Sequence, residues 1–289
     1  MRVKGEALTD GEMRLYNAVF SRGSVRRYRM KPIPAKLMGE INEYLNSVSM
    51  LHADALYRVA VVETPEGGRS PLRGSDLVNA PYYMVLFAKD HPWAYKNAGF
   101  VMEQIVLYLT ARGLGTCYLG GVRSTGGEEK NLSKDAFREV ITAAFGYPAE
   151  TEQGSTRGRK SLAQICQMHG TYPESMNRIL ETARLAPSSG NRQPWRFAVY
   201  PNKVHIFMKD RILQTKHDRE LEEVDMGIVM AHLALAAEEY WMDWKLQSIR
   251  GVAEKDLRGY SYVATLTLTD ESFPKAPSGD PVGSNDFQK

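Results

Sequence analysis

The feature that most constrains this chain is an internal repeat of two long apolar segments. Residues 99–113 read GFVMEQIVLYLTARG and residues 227–241 read GIVMAHLALAAEEYW. Both begin Gly-x-Val-Met and are apolar on nearly every face, which is typical of a helix buried on both sides. In each half a predicted helix precedes a short β-rich run, within residues 34–62 and again within 173–200. This repeat favours two similar units that pack through their apolar helices.

We place these units at residues 1–166 and 167–289 and predict an α+β fold class, with a mixed or antiparallel sheet flanked by helices in each unit. The patterns predict strands at 82–88 and 261–268 and a helix at 134–146 that ends at Gly146, with Pro148 beyond it. The tail from about residue 272 is rich in Pro, Gly and Ser, so we expect it to be poorly packed. A single irregular domain with chance similarity is the alternative.

Composition and charge argue against several classes of function. The net charge is +3 and basic residues alternate with acidic ones, unlike the basic stripe of a nucleic-acid binder, so we expect no nucleic-acid partner. No run approaches the roughly 18 apolar residues that cross a bilayer, and the N-terminus lacks a signal-peptide core, so we expect no membrane association. Cys117 and Cys166 are too few for a disulfide framework, which favours the cytoplasm. The six histidines show no ligand spacing, so we expect no metal site.

An alternating basic segment near the N-terminus is the first candidate binding element. Within SRGSVRRYRMKPIP (21–34), Arg22, Ser24 and Arg26 occupy alternate positions. In an extended segment such side chains project to one side, where two permanent cations and a hydroxyl suit a phosphate. A solvated basic loop is the alternative interpretation of this segment.

Two further segments lie after the first apolar helix. In GLGTCYLGGVR (113–123), glycines end the helix, and Gly120 and Gly121 leave backbone N–H groups open to close approach by a flat or charged ligand. The polar stretch at 146–165 carries Arg157, Arg159 and Lys160. It is either a linker or an arm that returns cations to the same anionic group.

The segment APSSGNRQPW (186–195) occurs only once in the chain. Pro187 ends the preceding helix because it removes an N–H and restricts the residue before it. Ser188, Ser189, Asn191 and Gln193 are short neutral hydrogen-bonding side chains, suited to hydroxyls and amide-like ring edges. A capped loop is the simpler interpretation, but this density of neutral donors between two prolines favours a binding loop.

These segments together resemble the FMN-dependent nitroreductase family. The similar motifs are Arg-x-Ser-x-Arg-x-Tyr, a helix followed by GLGTxxxxG, GYPAE…RGRKSL, and APSSxNxQPW before a strand, which is the most specific of them. The resemblance covers most of residues 16–268 and implies a nitroreductase-like fold. Members are usually homodimers with two FMN sites at the subunit interface. One subunit supplies the Arg-x-Ser-x-Arg loop (here residues 22–26, the arginine loop) and the turn after the helix (here residues 120–121, the glycine turn). Its partner supplies the APSSxNxQPW loop (here residues 186–195, the APSS loop).

By this resemblance the chain looks like a single-chain version of such a dimer. The first half keeps the arginine loop but has SVSMLHADALY (47–57) where APSSxNxQPW would stand, and the second half keeps APSSGNRQPW without an arginine loop. The implied assembly is an intramolecular pseudo-dimer with one composite FMN site, so we expect a monomer that mimics a homodimer.

The resemblance also implies residue roles. Arg22 and Ser24 would hold the FMN phosphate and ribityl end together with the arginines of the 146–165 stretch, and Arg26 would lie near the pyrimidine edge. The Gly121 N–H would lie near flavin N5, and the APSS loop would reach the ribityl chain and ring. Many relatives carry an acidic residue where this chain has Gly120, which puts redox tuning in doubt. The implied cofactor-binding residues are Arg22, Gly23, Ser24, Arg26, Gly120, Gly121, Arg157, Arg159, Pro187, Ser188, Ser189, Asn191 and Gln193.

The implied activity is an oxidoreductase that passes electrons from NADH or NADPH through FMN to a small-molecule acceptor such as a nitroaromatic or a quinone. We expect no catalytic side chain, because the cofactor carries the chemistry. Two alternatives stay open. One is a specialised flavoenzyme of the same fold, such as a dehalogenase; the other is a non-catalytic flavin-binding or redox-sensing module.

Overall fold

A computed structural model of the chain describes residues 14–124, 135–149, 158–249, 251–252 and 257–269. The helices are α1 (Leu15–Ser21), α2 (Ala35–Leu45), α3 (Ala94–Ala111), α4 (Leu162–Ile165), α5 (Glu174–Arg184) and α6 (Lys216–Glu239). The strands are β1 (Tyr57–Glu63), β2 (Leu72–Gly74), β3 (Tyr82–Ala88), β4 (Gly115–Leu119), β5 (Val122–Ser124), β6 (Arg138–Gly146), β7 (Cys166–Met168), β8 (Trp195–Tyr200), β9 (Lys203–Lys209), β10 (Asp243–Gln247) and β11 (Tyr260–Thr269).

Each half of the chain contributes one main sheet. The N-terminal sheet has the order β1-β3-β6-β4 and is antiparallel throughout. The C-terminal sheet has the order β10-β11-β9-β8-β7 and is mixed, because β7 pairs with β8 in parallel while the other pairs are antiparallel. The short strands β2 and β5 form a separate ribbon. The predicted α+β class, with mixed and antiparallel sheets flanked by helices, is confirmed.

The predicted helix over 134–146 is wrong, because residues 138–146 form strand β6 between β3 and β4. From Val140 to Gly146 every residue is buried, so the strand lacks the alternating pattern that marks a half-exposed one. A short apolar run of this kind fits a covered strand and a buried helix equally well. Gly146 ends the strand with a φ of 155°. The predicted poorly packed tail lies outside the described residues.

The two long helices α3 and α6 cross in direct backbone contact. A Cβ atom built on Gly99 would overlap the carbonyl oxygen of Val224, and one built on Gly227 would overlap that of Lys96. Val224 precedes Gly227 by three residues, and Lys96 precedes Gly99 by three. The contacts are therefore reciprocal, as in an interface between two copies of one surface. Only glycine permits helix axes to approach this closely.

The end of α3 directs the chain towards the site. Gly113 has a φ of 76°, its N–H bonds the Thr110 carbonyl at 3.0 Å, and the Leu114 N–H bonds the Leu109 carbonyl at 3.0 Å. This is a Schellman motif, which glycine stabilises because it adopts positive φ without strain. The predicted glycine stop is confirmed, and strand β4 begins immediately after it at Gly115. Within the described part of the chain, no helix is long and apolar enough to span a membrane.

Candidate functional site

A cavity of about 760 Å³ is lined by residues from both halves of the chain. This volume lies within the range of about 300–1,000 Å³ that ligand sites occupy. Its wall includes residues 117–121 and residues 75–78 from the N-terminal half, and residues 187–192 with one face of α6 from the C-terminal half. The predicted site residues that it brings together are Arg22, Ser24, Arg26, Gly120, Gly121, Arg159, Pro187, Ser188, Ser189 and Asn191.

Two predicted site residues do not line the cavity, and a third lies outside the described residues. Gly23 lies between two lining residues but is not among those that line the cavity. Gln193 is only 3% exposed and lies beneath the loop, where its side chain bonds other loop and arm residues. Arg157 lies outside the described residues.

One end of the cavity is cationic. Strand β4 holds the arginine loop in place, because Ser24 pairs with Thr116 and the Val25 N–H donates to the Thr116 carbonyl at 2.9 Å. Arg22 is only 8% exposed, and among the described residues its Nε has no hydrogen-bond partner. Burial, together with the neighbouring Arg22 cation, lowers the pKa of Arg159. A buried and a half-buried guanidinium that repel each other favour an anionic ligand between them.

The loop that follows α5 has an unusual backbone. Gly190, Asn191 and Gln193 have φ values of 56°, 58° and 49°. Asn tolerates the left-handed region, whereas Gln in that region costs about 1 kcal/mol. The conformation is held from both ends, since the Ser188 hydroxyl oxygen accepts the Gln193 N–H at 2.9 Å and the Ser189 N–H donates to the Asp225 carboxyl at 2.9 and 3.1 Å. Such a strained, braced loop is typical of a binding site.

The basic stretch before α4 is attached to this loop. Arg159 donates to the Asn191 side-chain oxygen at 2.8 Å, and the Asn191 amide donates to the Gly158 carbonyl at 2.9 Å. The Lys160 N–H donates to the Gln193 side-chain oxygen at 2.8 Å. Of the two interpretations of this stretch, these bonds favour the arm, because its described end brings Arg159 into the cavity wall.

A family model described as "Putative TM nitroreductase" matches residues 14–237. This match covers most of the chain. The chain belongs to this nitroreductase family. No curated protein matches the sequence.

One solved structure agrees with this assignment at the level of the fold. A "putative nitroreductase" from Thermotoga maritima MSB8 is 23% identical and covers 93% of this chain and 98% of its own, with a TM-score of 0.60. A nitroreductase with bound FMN from Desulfitobacterium hafniense DCB-2 is 15% identical and covers 50% and 95%, with a TM-score of 0.38. An iodotyrosine deiodinase bound to FMN and 3-iodo-L-tyrosine is 19% identical and covers 51% and 97%, with a TM-score of 0.38. The first of these shows the nitroreductase-like fold.

In this nitroreductase-family chain, the buried carboxyl of Asp225 in the cavity wall was not predicted. Asp225 is only 3% exposed and holds the Ser189 N–H with both carboxyl oxygens. Burial raises the pKa of Asp225 well above its usual range, and the Ser189 hydrogen bond opposes this rise. The sequence signal was an acidic residue two positions before the apolar segment of α6, but its loop partner lies 36 positions away in the chain.

A second unpredicted group is a buried polar network across the α3–α6 contact. His232 Nε2 lies 2.8 Å from Glu103 Oε1, and the Tyr118 hydroxyl donates to Glu103 Oε2 at 2.7 Å. His232 Nδ1 lies 2.9 Å from the Thr182 carbonyl, which can only accept, so Nδ1 donates. Glu103 and His232 are 0% and 1% exposed. Burial and the Glu103 carboxylate raise the pKa of Tyr118 far above its usual range, so Tyr118 acts as a neutral donor.

Proposed function

We propose that this nitroreductase-family chain is an FMN-dependent oxidoreductase that takes electrons from NADH or NADPH and passes them to a small acceptor such as a nitroaromatic or a quinone. The observation that carries the proposal is the convergence on one cavity of the arginine loop, the glycine turn and the APSS loop. These segments lie far apart in the sequence, and each carries a family motif.

The residues present fit FMN. The cationic end, with a buried Arg22 whose Nε has no partner among the described residues, suits a phosphate. The glycine turn is closely surrounded by side chains, because a Cβ on Gly121 would lie 3.0 Å from an Asp76 carboxyl oxygen and one on Gly120 would lie 3.3 Å from the Leu221 side chain. Backbone N–H groups without side chains permit a flat ring to approach closely. The hydroxyls of Ser188 and Ser189 in the opposite wall suit a ribityl chain.

Bound FMN supplies the redox chemistry, and the protein binds and orients it. Arg22, Arg159 and Ser24 would hold its phosphate end. Arg26, a permanent cation in the same wall, would stabilise negative charge that develops in the site. Asp225 fixes the APSS loop through Ser189, so that the loop keeps its shape before the ligand arrives.

We also propose that the chain is a monomer with its dimer interface internal and one FMN site per chain. Two observations support this arrangement. The glycine contacts between α3 and α6 are reciprocal, as at a two-fold axis. The cavity is lined by both halves, with the arginine loop from one and the APSS loop from the other.

The test is reconstitution of purified protein with FMN, followed by anaerobic addition of NADH or NADPH. We expect retained flavin absorbance that the nicotinamide bleaches and that a nitroaromatic or a quinone restores. Failure to retain FMN would overturn the proposal. Retention without bleaching would instead indicate a flavin-binding module, and restoration only by halogenated aromatics would indicate a dehalogenase.

A further inference from the structure

The polar network at the α3–α6 contact exists on one side of the contact only. Because Gly99 and Gly227 correspond in the repeat, Glu103 corresponds to Ala231 and His232 corresponds to Gln104. The mirror of the Glu103–His232 pair is therefore an alanine and a glutamine. Gln104 instead donates to the carbonyls of Ser49 and Phe100, each at 3.0 Å. Buried polar groups are costly unless every one of them is hydrogen-bonded, so the presence of this network on one side alone points to a role on that side.

The network ends at the cavity wall. Tyr118, which donates to Glu103, lines the cavity, and the Arg22 guanidinium carbon lies 5.8 Å from the centroid of its ring. A guanidinium over an aromatic face is attracted by the ring quadrupole. The side chain of Arg22 also donates a weak 3.4 Å hydrogen bond to the Ser24 hydroxyl. The Tyr118 ring is thus one of the groups that support this buried cation.

The orientation of Tyr118 depends on both halves of the chain. Glu103 is carried by α3 and His232 by α6, so the carboxylate is fully partnered only when the two helices are packed. A buried carboxylate that has lost a partner is strongly disfavoured. Glu103 therefore keeps the Tyr118 hydroxyl in one place, and the ring keeps Arg22 in one place.

We propose that Tyr118 is a positioning residue that, held by Glu103 and His232, aims Arg22 at the phosphate of the bound ligand. The inference rests on the proposed function, and deepens it by assigning selectivity for a phosphorylated flavin to this network. Riboflavin, which has the same ring and ribityl chain without the phosphate, is the matched probe. A residue that only stabilises the fold would change the binding of both flavins alike.

The experiment measures the dissociation constants of FMN and riboflavin by quenching of flavin fluorescence. We expect Tyr118→Phe to weaken FMN binding about tenfold, the size of one misplaced charge-assisted contact, and to leave riboflavin binding unchanged. Glu103→Gln should keep the wild-type preference, because its side-chain amide oxygen accepts from the Tyr118 hydroxyl as the carboxylate oxygen does. Gln104→Ala, at the mirror position of His232, should leave both constants unchanged.

Other results overturn the inference in distinguishable ways. Equal weakening of both flavins by Tyr118→Phe, or no weakening of either, would contradict a positioning role. Loss of selectivity in Glu103→Gln would mean that charge, not hydrogen-bond geometry, controls Arg22. Thermal unfolding of each apo variant identifies any general loss of the fold. If the wild-type chain binds neither flavin, the proposed function fails, and the inference fails with it.

Discussion

At the scale of single residues, Asp225 and Asn97 show how the two halves differ. Each stands two residues before its crossing glycine and holds a loop N–H. The Asn97 side-chain oxygen accepts the Leu51 N–H at 2.8 Å, and Asp225 accepts the Ser189 N–H at 2.9 Å. The same task is thus performed by a neutral amide on one side and by a carboxyl on the other.

This correspondence predicts the effect of Asp225→Asn. Burial raises the pKa of Asp225 in the folded protein. The carboxyl therefore contributes fully to the free energy of unfolding below its unfolded pKa of about 3.9, and this contribution is lost as the pH rises through the folded pKa. The side-chain amide of asparagine does not titrate, so the variant does not lose stability in this way. We therefore expect the variant to be more stable than wild type by about 1 kcal/mol at pH 7, with the difference vanishing below about pH 4.

Chemical denaturation of the apo protein from pH 4 to pH 8 measures this difference. Asp54→Asn is the matched control, because the Asp54 side chain is 79% exposed and should show little difference from wild type at any pH. A wild type more stable than Asp225→Asn at pH 7 would contradict the expectation.

Local sequence patterns could predict some of the residues that line the cavity, but not the buried residues that hold them in place. Spacing alone places Arg22, Ser24 and Arg26 on one side of a segment, and motif resemblance joins them to the APSS loop. Glu103 and His232 act only as a pair, and they are 129 positions apart in the chain. In the sequence they are a single acidic residue and a single histidine in two apolar helices, and nothing in the sequence indicates that they contact each other.

At the scale of the elements, the α3–α6 contact predicts opposite effects for two kinds of glycine. Gly99→Ala or Gly227→Ala would drive a Cβ into the backbone of the other helix, so the helices must separate. Overpacking of this kind costs about 1–3 kcal/mol. Gly39, in the interior of α2, has nothing within 4 Å of its built Cβ, and Gly39→Ala should stabilise by about 0.8–1 kcal/mol through helix propensity.

Thermal and urea unfolding of the three variants checks this contrast. Stability equal to wild type in both crossing variants would mean that the helices do not touch where the structure places them. FMN retention should also fall in Gly99→Ala and Gly227→Ala, since α6 forms part of the cavity wall.

Helices and strands were predictable where the hydrophobic periodicity was strong or where proline and glycine marked their ends. Helices α2 and α5 follow prolines, and α3 stops just before Gly113, as predicted. The segment of β6 was misassigned because its burial on both faces erased the alternation that distinguishes strands. Which strands would neighbour it depends on contacts made across the whole N-terminal half.

At the scale of the whole molecule, the proposal predicts both stoichiometry and mass. We expect one FMN per chain and a native mass near the 32.5 kDa of a single chain. The reason is that the arginine loop and the APSS loop each occur once. Light scattering with flavin absorbance measures both quantities; two flavins per chain would mean that the side carrying residues 47–57 also binds.

The one-sided Glu103–His232 pair has a consequence for how such a protein can change. Two identical subunits are encoded by one gene, so every substitution appears on both sides of their shared axis, whether or not both sides tolerate it. Here Ala231 and Gln104 occupy the positions that a second copy of the pair would take. Each side of the α3–α6 contact can therefore be redesigned alone. The side that carries Gln104 offers a place to introduce a new group without disturbing the cavity.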